Sequence, residues 1–160
     1  WSLLLRDSGG DARVGQALSS ASPRGRLSVR STDGAAQESA MALSFSGQAE
    51  AVIFGPAVDL SRQRNGDMVL TAGVRLESQI AGPVELSFGK DRIDIAPLLQ
   101  DAKIGEWRTI RIRLACFDAE AAGLTAVETP FILGSKAPLL ISLSDIGLVP
   151  HDAEATCPVR

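Results

Sequence analysis

The sequence contains no tyrosine, one histidine, two cysteines, two tryptophans and five phenylalanines in 160 residues. Each scarcity excludes something. A single histidine, His151, lies close to the C-terminal end and leaves no material for a Ser-His-Asp or Cys-His nucleophile, both of which need a centrally held imidazole. It cannot complete a metal site either, and the separation of Cys116 and Cys157 fits neither a zinc ribbon nor a redox pair. The formal net charge is −3, so there is no basic excess to attract a nucleic-acid backbone. No apolar run approaches the roughly 20 residues of a membrane span; the longest candidate, residues 138–149, is interrupted by Ser142, Ser144 and Asp145. There is no Gly-x-Ser-x-Gly, phosphate loop or calcium-loop spacing. The 19 acidic residues could supply a carboxylate pair by count, but nothing in the pattern marks the pocket needed to raise one member's pKa.

What is present is a β-rich globular composition. Hydrophobic residues make up 45% and charged residues 22%. The length suits one domain, spanning residues 1–160. The first residue is Trp1, and Leu3, Leu4 and Leu5 are too few for a signal core, so the chain is expected to be an excised piece of a longer polypeptide.

The clearest stretch is GEWRTIRIRLACF, residues 105–117, read as one long strand. Ile110, Ile112 and Leu114 alternate with Arg111 and Arg113, which puts one face on a core and the other in water. Met68, Leu70, Ala72, Val74 and Leu76 alternate in the same way, with Arg75 and Glu77 on the other face. Leu27 and Val29 lie in a further strand. Met41, Leu43 and Phe45, joined through Ser46-Gly47-Gln48 to Ala51 and Ile53, suggest a hairpin. Phe131 and Leu133 are expected to open a last hairpin, whose second arm is residues 138–149. Residues 7–25, rich in Gly and Ser, read as a surface loop. Short helical turns are expected near 95–102 and 119–126. Nine or ten short strands without a long helical pattern predict two antiparallel sheets packed face to face, closed as a jelly roll.

Several residues carry candidate chemistry. In the last strand the apolar phase of Leu139, Ile141 and Leu143 changes to Ile146 and Leu148, which predicts a bulge near Ser144 and Asp145. Continuing the first phase would bury the Asp145 carboxylate near the sandwich rim, satisfied by backbone amides or by a structural Ca²⁺. Arg75, Arg111 and Arg113 fall on outward phases. They form either a solvated sheet face or a patch for sugar hydroxyls or ion pairs with a protein partner. Trp107 is expected in the core or at a sheet edge before it is expected as a sugar platform. Cys116 and Cys157 either pair or remain free thiols, and pairing would imply an oxidising compartment.

The ordered series LLLRDSGGDARVG, ASPRGRLSVRSTDGAAQESAMALSFSG, PAVDLSRQRNGDMVLTAGVRLES, AGPVELSFG, GEWRTIRIRLACF, PFILGS and LLISLSDIGLVP resembles the C-terminal domain of bacterial family-3 glycoside hydrolases of the ExoP exo-1,3/1,4-β-glucanase type. The resemblance implies a galactose-binding-like jelly roll without catalytic residues of its own, secreted to the periplasm or outside a bacterial cell. Its partners would be the catalytic domains of the same polypeptide and, more weakly, β-glucan; an independent carbohydrate-binding or adhesion module is the alternative. Cys116 and Cys157 match the family's cysteine pattern, which implies that they pair. Related domains carry extra cysteines around ELSFGKDRIDI, absent here, so the tip at Lys90 and Asp91 is expected to be looser or differently used.

Overall fold

The computed structural model describes residues 1–34, 39–151 and 153–158. Twelve strands are present among them: β1 (Ser2–Asp7), β2 (Gly10–Arg13), β3 (Ser19–Ala21), β4 (Leu27–Asp33), β5 (Ser39–Phe45), β6 (Ala49–Phe54), β7 (Val69–Leu76), β8 (Val84–Phe88), β9 (Asp91–Asp94), β10 (Trp107–Arg113), β11 (Phe131–Ser135) and β12 (Leu139–Val149). Short helices α1 (Ser61–Asn65), α2 (Ala96–Leu99) and α3 (Ala119–Ala122) and a 3₁₀ turn, Leu114–Cys116, sit in the connections. Both expected helical turns are therefore found, as α2 and α3.

The strands form two six-stranded antiparallel sheets, ordered β2-β1-β6-β11-β8-β9 and β10-β7-β12-β5-β4-β3. The all-β jelly-roll sandwich read from the sequence is the observed architecture. Period-2 alternation places one row of each sheet inward. In the first sheet Leu5, Ala51, Leu133, Leu86 and Ile93 are successive cross-strand partners, and all are buried. In the second, Leu76, Ile141, Leu43 and Val29 do the same. These rows meet in one continuous apolar core. Burial of this kind contributes roughly 25 cal/mol per Å² of apolar surface, the dominant favourable contribution to folding.

Four expectations need correcting. The organising strand is shorter than read: β10 ends at Arg113, and Leu114 begins the 3₁₀ turn. Three residues per turn carry both Leu114 and Phe117 into the core, which is why both are apolar. The two hairpins are not hairpins. β5 pairs with β4 and β12 while β6 pairs with β1 and β11, so Ser46-Gly47-Gln48 carries the chain from one sheet to the other; β11 and β12 are divided in the same way. The segment 7–25 is not loop throughout, because it holds β2 and β3. Both are edge strands with largely exposed side chains, so they have no apolar alternation to betray them. Of the two alternatives for the tip at Lys90 and Asp91, looseness is the one that falls: the Gly89 N–H donates to Thr129 O at 2.9 Å and the Asp118 N–H to the Asp91 carboxylate at 2.8 Å.

Asp7, at the end of β1, ties the first sheet to the β3–β4 turn of the second. Its buried carboxylate accepts from Ser22 Oγ at 2.6 Å and from the N–H groups of Gly9 at 2.8 Å and Arg24 at 2.7 Å. Burial by itself would raise its pKa. The Ser22 hydroxyl and the backbone donors outweigh that effect and hold the carboxyl below the usual range. A depressed folded-state pKa contributes stability that is present above the unfolded value of about 4 and lost as pH falls through the folded value. The melting temperature is therefore expected to fall on acidification below about pH 4. Asp7→Asn is expected to lower it at neutral pH and make the acid decline shallower. A denaturation series from neutral to acid pH checks this, and parallel curves for the two proteins would contradict it.

Candidate functional site

The outer face of the second sheet gathers most of the candidate residues. Ile110 and Ile112 of β10 point into the core, so Trp107, Thr109, Arg111 and Arg113 take the outward phase. Trp107 is thus at a sheet edge, half-buried and facing out. Its cross-strand partner on β7 is Arg75, whose guanidinium lies 4.9 Å from the indole centroid. Such a cation–π contact stabilises by about 0.5–1 kcal/mol at an open site. Arg75 also pairs with the Glu77 carboxylate and lies 3.5 Å from Thr32 Oγ1.

The three arginines do not form one free cationic patch. Arg111 lies 3.6 Å from the Glu154 carboxylate. Arg113 makes two bonds to Asp67, at 2.9 and 3.0 Å, and the same carboxylate lies 2.8 Å from His151 Nδ1. The Arg113 hydrogen bonds hold Asp67 below the usual carboxylate range, with His151 adding to the effect. The last two arginines therefore fasten the α1–β7 and C-terminal segments onto the edge strand.

Beside Trp107 the face falls into an open hollow of about 490 Å³, bordered by Trp107, Thr109, Arg111, Ser144 and Asp145. Gly73 forms its floor: a Cβ there would come within 2.6 Å of Ser144 Oγ. Of the residues singled out from the sequence, the hollow brings together Trp107, Arg111 and Asp145. Arg75 packs against Trp107, and Arg113 stands away, engaged with Asp67.

The bulge in β12 is where the phase change placed it, between Ser144 and Gly147. The expected burial of Asp145 is overturned. The bulge puts Asp145 in the left-handed region at φ +50 and turns its carboxylate out to solvent, 3.3 Å from Ser144 Oγ. An exposed carboxylate is satisfied by water and needs no cation. Among the described residues no three His, Cys, Asp or Glu side chains gather in a group suited to a metal ion.

The outer face of the first sheet holds a different feature, a trough of about 530 Å³ over Gly134. Its walls are charged and mutually paired: Arg6 lies 3.7 Å from Glu50, and Arg92 3.0 Å from Glu85. Retaining and inverting glycosidases need one carboxyl pushed upward to act as the acid. The carboxyls of Asp7, Asp11, Asp59, Asp67 and Asp101 are each displaced downward. They are held as anions by donors, the opposite of a general acid.

Two six-stranded antiparallel sheets packed on one apolar core make a β-sandwich of the galactose-binding-like class. Residues 1–148 match the Exop_C family, described as galactose-binding domain-like, and the chain belongs to that family. Its fold is similar to the extra C-terminal domain of an exo-1,3/1,4-β-glucanase from a Pseudoalteromonas species, with a TM-score of 0.77 and 16% identity over 99% of this chain and 89% of that one. An exo-1,3/1,4-β-glucanase from the same organism aligns at TM-score 0.76 and 16% identity, over 99% of this chain but 20% of that one. A family 30 carbohydrate-binding module of a Clostridium thermocellum cellulosomal cellulase aligns at 0.60 and 15% identity, over 86% of this chain and 89% of the module. At these identities the likeness is one of fold. No curated protein matches the chain in sequence.

Sequence reasoning missed two residues that the structure brings forward. One is Asp7, an ordinary-looking aspartate in a Gly- and Ser-rich stretch. The other is Trp1, which is 66% exposed and which the sequence marks only as the first residue. Cys116 and Cys157 do form a disulfide, with Cα atoms 5.4 Å apart.

Proposed function

We propose that this chain is a non-catalytic accessory domain of a secreted exo-1,3/1,4-β-glucanase of glycoside hydrolase family 3, and that it packs on the catalytic domains of the same polypeptide. The observation that carries the reading is the family membership over residues 1–148, together with a fold that, over 99% of this chain, matches 20% of an exo-1,3/1,4-β-glucanase. The downward-shifted carboxyls support the absence of catalysis in the chain itself. The disulfide, with Cys157 exposed to solvent, supports a periplasmic or extracellular location, since a reducing cytosol would open it. The role calls for no bound metal ion, because the Asp145 carboxylate is exposed to solvent.

Docking is tested in the polypeptide that carries the domain. Deleting residues 1–160 is expected to lower the enzyme's melting temperature and its kcat/KM on long glucans. Unchanged values of both would overturn the reading. A second reading, glucan binding by the domain, is favoured by one observation: Trp107, Thr109, Arg111 and Asp145 border the same open hollow. An indole offers area to the apolar face of a pyranose at low entropic cost, and the polar neighbours fix hydroxyl orientation.

A further inference from the structure

We propose that the two tryptophans mark the ends of one oligosaccharide track, which bends around the Asp145 bulge and favours a curved β-1,3-linked glucan over a straight β-1,4-linked one. The proposal rests on the glucan-binding reading and goes beyond it by adding a second subsite and a linkage preference.

Trp1 is the first observation. It continues the inward phase of β1 but lies beyond the end of the sandwich, so its ring is not covered by the core. One side of the ring rests on Gly55: a Cβ at that position would fall 2.3 Å from Cε3 and 2.7 Å from Cζ3. Gly55 is itself anchored by its N–H to Glu128 O at 2.9 Å. One side of the indole is therefore seated on the Gly55 backbone, and most of the ring is exposed.

The second observation is where that platform leads. Trp1 borders a hollow of about 310 Å³ at the mouth of the sandwich, walled by Leu3 and Ile53 of the first sheet and Met41 and Leu143 of the second. This hollow ends on Ser144 and Asp145, and the same two residues border the Trp107 hollow. The only tryptophans in the sequence thus stand at two depressions that share one wall. On the sheet face, Thr109, Gly73 and Ser144 are successive cross-strand partners, so the first depression crosses two strand spacings, about 10 Å.

The chemistry follows from the shape. β-Linked glucose presents C–H faces for stacking and equatorial hydroxyls for hydrogen bonding at its edge. An indole at each end takes the faces, and the exposed Asp145 carboxylate between them, which accepts from the buried Ser144 hydroxyl at 3.3 Å, takes the sugar hydroxyls. One platform lies on the outer face of a sheet and the other at the end of the sandwich. A path that turns from the sheet face to the end of the sandwich suits a β-1,3-linked chain, which curves, better than a straight β-1,4-linked ribbon.

Affinity electrophoresis of the 160-residue chain in laminarin and in hydroxyethyl cellulose tests the proposal. The wild-type protein is expected to be retarded more strongly by laminarin. Trp1→Ala, Trp107→Ala and Asp145→Asn are each expected to weaken that retardation by roughly tenfold in apparent affinity, the scale of one lost stacking or charged contact. Arg92→Ala, in the trough of the other sheet, is expected to leave it unchanged, as are added Ca²⁺ and EDTA. Asp145→Gly serves as the folding control: glycine suits φ +50 at least as well, so the melting temperature is held or raised while binding is lost. Retardation that survives all three substitutions overturns the track and leaves glucan binding standing. Loss in Trp107→Ala with Trp1→Ala unaffected also overturns it, confining the ligand to the sheet face. Equal retardation in both polysaccharides overturns the linkage preference. No retardation of the wild-type protein removes the glucan reading along with the track.

Discussion

Phe117→Ala is expected to lower the unfolding free energy by about 4 kcal/mol, with a fall in melting temperature of roughly 10 °C for a domain of this size. Phe117 is fully buried, and its ring centroid lies 5.4 Å from that of Phe88 at a tilt of 35°. It follows the 3₁₀ turn and precedes α3, so it plugs the core at the point where the chain leaves one sheet for the other. Its carbonyl accepts from Arg64 Nε of α1 at 3.3 Å, which ties a third element to the same residue. Removing the ring leaves a cavity beside Phe88 in a core that both sheets enclose, and such a cavity cannot easily close. Phe117→Leu keeps most of the volume and is expected to cost less than about 1.5 kcal/mol. Chemical denaturation of the three proteins checks the ordering. A loss below about 1 kcal/mol for the alanine variant would mean that the site collapses freely, contrary to this packing account.

The position of Phe117 illustrates what sequence could and could not provide. Its burial is legible, since aromatic residues at the end of an alternating strand usually close a core. Its partner is not, because Phe88 belongs to the other sheet and sheet membership leaves no local trace. Ser46-Gly47-Gln48 makes the same point. A short polar connection of that kind serves equally to turn a strand back on its neighbour or to pass it across the sandwich. Central strands such as β7 announce themselves by period-2 alternation, because one face must be apolar. The edge strands β2 and β3 bury too little to leave that signature.

The candidate site divides along the same line. The bulge was readable from the change of apolar phase in β12. The direction of Asp145 was not, because a left-handed residue rotates its side chain away from the face that simple alternation assigns. Arg111 and Arg113 were correctly placed outward. Their partners Glu154 and Asp67 lie far away along the chain, so a patch that looks cationic in sequence is neutralised in space. The Trp1 platform depends on the absence of a Cβ at Gly55, a relation between two distant residues that neither one signals alone.

Opening the Cys116–Cys157 bridge is expected to cost about as much as the core cavity. The bridge spans 41 residues, and the chain-entropy account gives roughly 4 kcal/mol for a loop of that size. The enclosed loop contains α3, β11 and β12, so its closure limits the unfolded freedom of a central strand in each sheet. The folded state has a stake as well. β10 ends its sheet, and the C-terminal segment runs beside it: Thr156 forms a parallel bridge with Ile112, and its N–H donates to Arg111 O at 3.2 Å. The disulfide pins this segment in place, with the Arg111–Glu154 ion pair beside it. Together they cover backbone groups that an open edge would offer to other chains. Reduction by dithiothreitol is therefore expected to lower the melting temperature by roughly 10 °C and to promote self-association. The paired substitution of Cys116 and Cys157 by serine is expected to do the same without reductant. Loss of stability without self-association would confine the role of the bridge to the unfolded chain. An unchanged melting temperature would show that the edge and the closing segment hold without it.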